Sequence, residues 1–153
     1  MVDVGEKAPG FTLVSDDGQH ISLADYLGKK VVLYFYPKDM TPGCTQEEKE
    51  FRDLAEQYRK ENVVILGVSK DSVQSHQKFK EKNNLPFTLL SDVEGKLLEQ
   101  YGVWKKKSLY GKTFMAIERT TFLIDEEGIV RKIYRKVNPK GHAKTCLLDF
   151  ANP

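Results

Sequence analysis

Val31-Val32-Leu33-Tyr34-Phe35-Tyr36-Pro37-Lys38-Asp39-Met40-Thr41-Pro42-Gly43-Cys44-Thr45 begins as a continuous apolar and aromatic run, crosses a short loop and ends on the start of a helix. An unbroken apolar run has no solvent side, so Val31 to Tyr36 suits a central strand covered on both faces. Thr41 is a good N-cap and Pro42 fits the first helical position. From Pro42 to about Lys60 the pattern is helical, with Phe51, Leu54, Ala55 and Tyr58 at i, i+3, i+4 and i+7. Val63-Val64-Ile65-Leu66-Gly67-Val68 reads as a second buried strand. Strand, helix and strand form a βαβ unit, which is right-handed in nearly all folds. The class is therefore α/β. Cys44 falls in the first helical turn, beyond the carboxyl end of a central strand, where open α/β sheets place their sites. The N–H groups at that end lack intrahelical partners and the helix dipole is positive there, so a thiolate is stabilised. The thiol is expected to fall from about 8.5 toward neutrality or below, which makes it a nucleophile. The residues alone also fit a buried, inert cysteine at a helix start.

Working outward, Phe11-Thr12-Leu13 and His20-Ile21-Ser22-Leu23 flank the turn-rich Ser15-Asp16-Asp17-Gly18 and read as a hairpin. A helix is expected from Ser72 to about Lys82, with Val73, His76 and Phe79 along one side. A short strand from Phe87 to Leu90 and a brief helix from Lys96 to Tyr101 follow. Thr120–Ile124 and Ile129–Tyr134 read as an antiparallel hairpin across Asp125-Glu126-Glu127-Gly128. A last helix runs from about Lys140 to Phe150. No repeat, linker or low-complexity segment divides residues 1–153, which read as a single domain with enough chain for a core.

The composition excludes several classes. Hydrophobic residues make up 40% and charged residues 30%, as in soluble globular proteins. A formal net charge of +2 is too small to imply nucleic acid. Lys105-Lys106-Lys107, the one dense basic run, reads as a solvated loop or strand end. No stretch approaches the ~20 apolar residues of a membrane helix. Met1 to Glu6 lacks a basic-then-apolar signal pattern, so a cytoplasmic location with reduced thiols is expected. Two cysteines are too few for a disulfide scaffold or an all-cysteine zinc site. His20, His76 and His142 show no ligand spacing and read as surface or helix-start residues. No Gly-x-Gly-x-x-Gly loop suggests a nucleotide cofactor, and no Cys-x-x-Cys suggests thioredoxin-like exchange. No metal or cofactor is expected.

The spacing Pro37-x-x-x-Thr41-x-x-Cys44 resembles the peroxidatic motif of the peroxiredoxins, and Phe35 to Thr45 is similar to the bacterioferritin-comigratory-protein, or Q-type, subfamily. Gly5-Glu6-Lys7-Ala8-Pro9 with Phe11-Thr12-Leu13, then Glu118-Arg119-Thr120-Thr121-Phe122-Leu123-Ile124-Asp125, then Gly141-His142-Ala143 resemble that family's first strand, arginine-bearing strand and last helix. The likeness runs through the whole chain in order. It implies a thioredoxin-like fold, with a mixed central sheet, flanking helices and an N-terminal hairpin.

The resemblance also implies a thiol-dependent peroxidase that reduces hydrogen peroxide and alkyl hydroperoxides through a sulfenic acid on Cys44. By the same likeness Thr41 bonds the peroxide, Arg119 supplies a fixed positive charge, and Pro37 shields the pocket. Glu47, one turn after Cys44, is placed to orient Arg119. Many Q-type members carry a second cysteine five residues after the first, where this chain has Lys49. The remaining thiol, Cys146, lies with Ala143, Leu147 and Phe150 on one apolar helix face and reads as core filler. The expected cycle therefore uses one cysteine and an external thiol such as thioredoxin or glutaredoxin, in a monomer. The alternatives are resolution by Cys146, or a thioredoxin-fold redox sensor or binding protein with weak turnover.

Overall fold

Alternate residues of the apolar run Val31–Tyr36 point to opposite faces of a sheet, and each set is buried in its own core. Val31, Leu33 and Phe35 join one apolar cluster; Val32, Tyr34 and Tyr36 join the other. The computed structural model describes residues 2–151; Met1, Asn152 and Pro153, the ends of the expected single domain, lie outside the described residues.

The chain runs β1 (Thr12–Ser15), β2 (His20–Ser22), a short 3-10 turn, β3 (Lys30–Phe35), α1 (Pro42–Asp53), α2 (Ala55–Lys60), β4 (Val63–Ser69) and α3 (Val73–Asn83). It continues through β5 (Thr88–Ser91), α4 (Lys96–Gln100), β6 (Trp104–Leu109), β7 (Lys112–Ile117), β8 (Thr120–Ile124), β9 (Val130–Tyr134) and α5 (His142–Ala151). Seven strands form one sheet in the order β2-β1-β5-β4-β3-β8-β9. β3, β4 and β5 are parallel, and antiparallel pairs extend the sheet on both sides. This is the mixed thioredoxin-like sheet with flanking helices and an N-terminal hairpin. One face is closed by Phe51, Tyr58 and Phe79 of α1, α2 and α3 and by Cys146, Leu147 and Phe150 of α5. The other is closed by Leu97 and Leu98 of α4 and by Val2, Ala8 and Leu23 near the amino end. Among the described residues, no helix is long and apolar enough to cross a membrane.

Three expectations need correction. The helix from Pro42 to Lys60 is interrupted at Leu54, with φ −103° and ψ 3°. The Leu54 N–H still reaches the Glu50 and Phe51 carbonyls, so the helix bends rather than stops, and Phe51 and Tyr58 both stay fully buried. Trp104 to Ile117, where only a solvated basic run was legible, forms the separate β6–β7 ribbon. Its turn sits on Tyr110 and Gly111, both at positive φ, as a two-residue hairpin demands. Most of its residues are exposed on both faces, so no polar–apolar alternation marks it in sequence. Arg119 does not lie in a strand; it occupies the link between β7 and β8.

The packing has a tight point beside the site. Gly67 of β4 pairs with Tyr34 of β3, and a Cβ added there would stand 2.6 Å from the Tyr34 ring and 3.0 Å from Leu89. Gly67→Ala is expected to destabilise the fold by roughly 1–3 kcal/mol through overpacking. Denaturant unfolding measures it, and an unchanged midpoint would show that Tyr34 can move aside.

Candidate active site

β3 ends at Phe35, and the loop after it delivers Thr41 and α1 beyond the strand's carboxyl end. Thr41 has the extended backbone of an N-cap, φ −83° and ψ 152°, and Pro42 follows at the first helical position. Its hydroxyl does not cap the helix, however. It donates to the Lys38 carbonyl at 2.8 Å, so its lone pairs are left to accept from another group. Pro37 is exposed at the start of this loop. Cys44 is completely buried in the first turn of α1.

Arg119 reaches Cys44 from the β7–β8 link. The link is pinned at both of its residues: Glu118 N–H donates to the Val103 carbonyl at 2.8 Å, and the Arg119 carbonyl accepts from Val137 N–H at 2.9 Å. Arg119 Nη2 donates to Cys44 Sγ at 3.2 Å, and Nη1 donates to Glu47 Oε1 at 2.6 Å. One planar cation thus touches two side chains one helical turn apart. Gly43 makes room for it, since a Cβ there would lie 3.3 Å from Arg119 Nη2. Burial works against the charge of Arg119, but Glu47 and Cys44 outweigh it and hold the guanidinium protonated.

Cys44, Glu47 and Arg119 are therefore brought together, with Thr41 at the N-cap of the same helix. Sequence reasoning missed Glu48. It is fully buried beside Glu47, with the buried Tyr34 hydroxyl as its hydrogen-bonding neighbour. A signal was present: Cys44, Glu47, Glu48 and Phe51 follow i, i+3, i+4, i+7, the spacing of a core-facing stripe. Burial pushes the Glu47 carboxyl up to about 7, against the pull of Arg119. Burial also drives Glu48 well above the ordinary range, and the neighbouring Glu47 and Cys44 add to the shift.

Cys146 is fully buried on α5, with Sγ 3.4 Å from His142 Nε2. Burial, then the charge of Glu47, raises its thiol far above the ordinary value, so it is held as the neutral form. His142 opens α5 as expected but is buried, its Nε2 2.8 Å from Thr121 Oγ1. Burial and then Arg119 lower it to about 4. His76 is not a surface residue either: it is fully buried, because its ring bridges Asp39 and the Leu90 carbonyl. Asp39, Asp71 and His76 offer ligand atoms within 4.8 Å of one another. Those atoms are already committed to hydrogen bonds with each other, with Ser69 and with backbone, which argues for a structural hub.

Comparison with known proteins places the chain in a family. Residues 4–133 match the AhpC/TSA family. A Coxiella burnetii protein named for the Bcp peroxiredoxins is 58% identical over 141 residues, covering 92% of this chain and 93% of that protein. Bacillus subtilis peroxiredoxin Bcp is 54% identical over 146 residues, covering 95% and 93%. Among solved structures, Xanthomonas campestris bacterioferritin comigratory protein, described for its alkyl peroxide reduction, superposes with a TM-score of 0.89 at 41% identity over 92% of this chain and 90% of that one. A cysteine-to-serine mutant of Xylella fastidiosa PrxQ gives 0.94 at 35% identity over 99% and 96%.

The two buried acids make stability depend on pH in a definite sense. A carboxyl whose folded value is raised binds its proton more tightly in the folded state, so its contribution is complete below the unfolded value near 4.5 and is lost as pH rises through the folded value. Glu48→Gln, neutral at every pH, is expected to be more stable than the parent at pH ~8, with the gain shrinking as pH falls toward ~4.5. Melting temperatures across that range measure it; a difference independent of pH would show that folding does not raise the Glu48 carboxyl.

Proposed function

We propose, for a chain that belongs to the AhpC/TSA family and is a thiol peroxidase of the peroxiredoxin type, a one-cysteine cycle in which Cys44 is the peroxidatic nucleophile. The observation that carries this reading is the two-point grip of Arg119 on Cys44 Sγ and Glu47 Oε1. The guanidinium donates to the sulfur that attacks, and the thiolate is the nucleophilic form of a cysteine. Cys44 attacks the hydroxyl oxygen of ROOH. The S–O bond forms as the O–O bond breaks, and RO⁻ leaves and takes a proton from water. Negative charge moves from sulfur to the departing oxygen, and the donors of Arg119 and the Cys44 N–H are fixed where that charge spreads. The Thr41 hydroxyl, its proton given to Lys38, accepts the O–H of the peroxide and aligns it. Pro37 screens the mouth of the pocket. Hydrogen peroxide and alkyl hydroperoxides are the substrates of this reading.

The product is a sulfenic acid on Cys44. A thiol R′SH condenses with it to give Cys44–S–S–R′ and water, and a second thiol releases Cys44 and leaves with R′ as a disulfide. Peroxiredoxins draw on a thiol reductant; here we take it to be external, of the thioredoxin or glutaredoxin kind. Lys49 stands where a resolving cysteine would share α1, and Cys146 is buried and held neutral, which suits core packing. We also read residues 1–153 as one domain, monomeric and cytoplasmic. Short edge strands support the monomer: β2 has three residues, and β9 carries Arg131 and Lys132.

Cys44→Ser is expected to abolish peroxide turnover with the fold intact, and Arg119→Lys, which loses the two-point fork, to slow Cys44 oxidation by roughly 10²–10³-fold. Intact mass after one equivalent of hydrogen peroxide decides the cycle. Gain of one oxygen at Cys44 in both parent and Cys146→Ser is the expected result. Loss of two hydrogens in the parent alone would make Cys146 the resolving thiol, and no change in either protein would remove the peroxidase role of Cys44.

A further inference from the structure

Met40, the residue before Thr41, adopts a left-handed backbone with φ +66°. For a residue with a side chain this costs on the order of 1 kcal/mol, and it persists only where the surroundings over-determine it. The Met40 side chain is 44% exposed, so its own packing does not hold it. What is held is the residue before it. Asp39 is 4% exposed, and both of its carboxyl oxygens and its N–H are anchored. Its Oδ1 accepts from the Tyr36 hydroxyl at 2.6 Å, and its Oδ2 accepts from the Ser75 hydroxyl at 2.8 Å and lies 2.8 Å from His76 Nδ1. Its N–H donates to Asp71 Oδ2 at 2.8 Å. His76 is itself fixed from behind, with Nε2 3.0 Å from the Leu90 carbonyl of β5. A carbonyl only accepts, so Nε2 carries a proton and the ring cannot turn over without losing that bond.

We propose that Asp39 and His76 are positioning residues which, from the sheet through α3, hold the strained turn at Met40 and so aim the Thr41 hydroxyl at the peroxide. The proposal rests on the role given above to Thr41. The line of force is short: Leu90 fixes His76, His76 fixes Asp39, and one strained residue separates Asp39 from Thr41. Beyond Met40 the turn is closed by the Thr41 hydroxyl bond to Lys38. Among the described residues, no hydrogen bond or ion pair joins Asp39 or His76 to Cys44, Glu47 or Arg119. The hub therefore acts on one half of the site, the half that handles the substrate oxygen, and leaves the sulfur and its cation alone. A network that only stabilised the fold would affect both halves alike.

The difference is readable in the reduced protein by timing Cys44 oxidation with hydrogen peroxide and, separately, Cys44 alkylation with iodoacetamide, which needs the sulfur but not Thr41. His76→Gln and Asp39→Asn are expected to slow oxidation by about 10- to 100-fold, the scale of a small misplacement in a reacting pair, and to leave alkylation within about two-fold of the parent. His76→Gln combined with Thr41→Val is expected to be no slower than Thr41→Val alone, since both remove the same interaction. Should His76→Gln fail to fold, the near-isosteric Asp39→Asn carries the same comparison. Oxidation at the parental rate in the hub variants, an equal loss with both reagents, or losses that multiply with Thr41→Val would each overturn the proposal. A parental rate in Thr41→Val would instead overturn the role of Thr41 and this inference with it, which separates the two failures.

Discussion

A guanidinium withdrawn from most of its water must be paired, and the pairing of the partly buried Arg119 sets the terms for everything around Cys44. Leaving such a cation without a partner costs several kcal/mol. Glu47 meets one edge of it and the Cys44 sulfur the other. Those two contacts dictate the rest. Gly43 carries no side chain because one would crowd Nη2, and Pro139 lies close on the same side. The β7–β8 link is tied to Val103 and Val137, so the arginine arrives at a fixed height above α1. The cation in turn eases the burial of Glu47, pulling against the rise that burial gives its carboxyl.

That arrangement makes α1 a compromised helix. Its inward stripe carries Cys44, Glu47, Glu48 and Phe51, and only the last is an ordinary core residue. Opening the first turns would return both carboxyls to water, which offsets part of the packing lost at Cys44. Gly43 adds to this, since glycine in a helix is unfavourable by ~1 kcal/mol relative to alanine. The elements around the helix are of another kind: β3 is buried on both faces, and Tyr58 ties α2 to the Ala143 carbonyl of α5 at 2.5 Å. A thiol that must react inside a closed pocket and then meet a second thiol is served by a weak segment set in a strong frame.

The parts of this protein that were legible in sequence are those written in local signals. The two-sided burial of Val31–Tyr36, the Thr41-Pro42 helix start and the Ala143, Cys146, Leu147, Phe150 face follow from period and capping, and the structure keeps them. What stayed hidden depends on partners far along the chain. His76 looks like any polar helical residue until Asp39 and Leu90 close around it. Arg119 looks like a strand residue until Val137 pulls its carbonyl out of the ladder. The β6–β7 ribbon, wet on both faces, has no apolar alternation to announce it. Glu48 is the instructive case, because its helical spacing from Cys44 and Phe51 put it on the buried stripe. A charged residue at a core position is a conflict between local and tertiary demands, and such conflicts gather where function overrides stability.

The two sides of the site are built by different physics for different tasks. Arg119 manages charge, so it needs a carboxylate partner and a low-dielectric setting, and the core of α1 and the β7–β8 link supply them. In the proposed cycle Thr41 manages direction, so it needs a stiff backbone, and a strained residue beside a four-point anchor is suited to supply that. Peroxides are small and offer few atoms to grip, so little alignment comes from binding remote parts of the substrate. The geometry must then be stored in the protein before the peroxide arrives. Under the proposed cycle, storing it in the loop rather than in α1 would leave the helix free to open after reaction while the loop kept its shape for the next substrate.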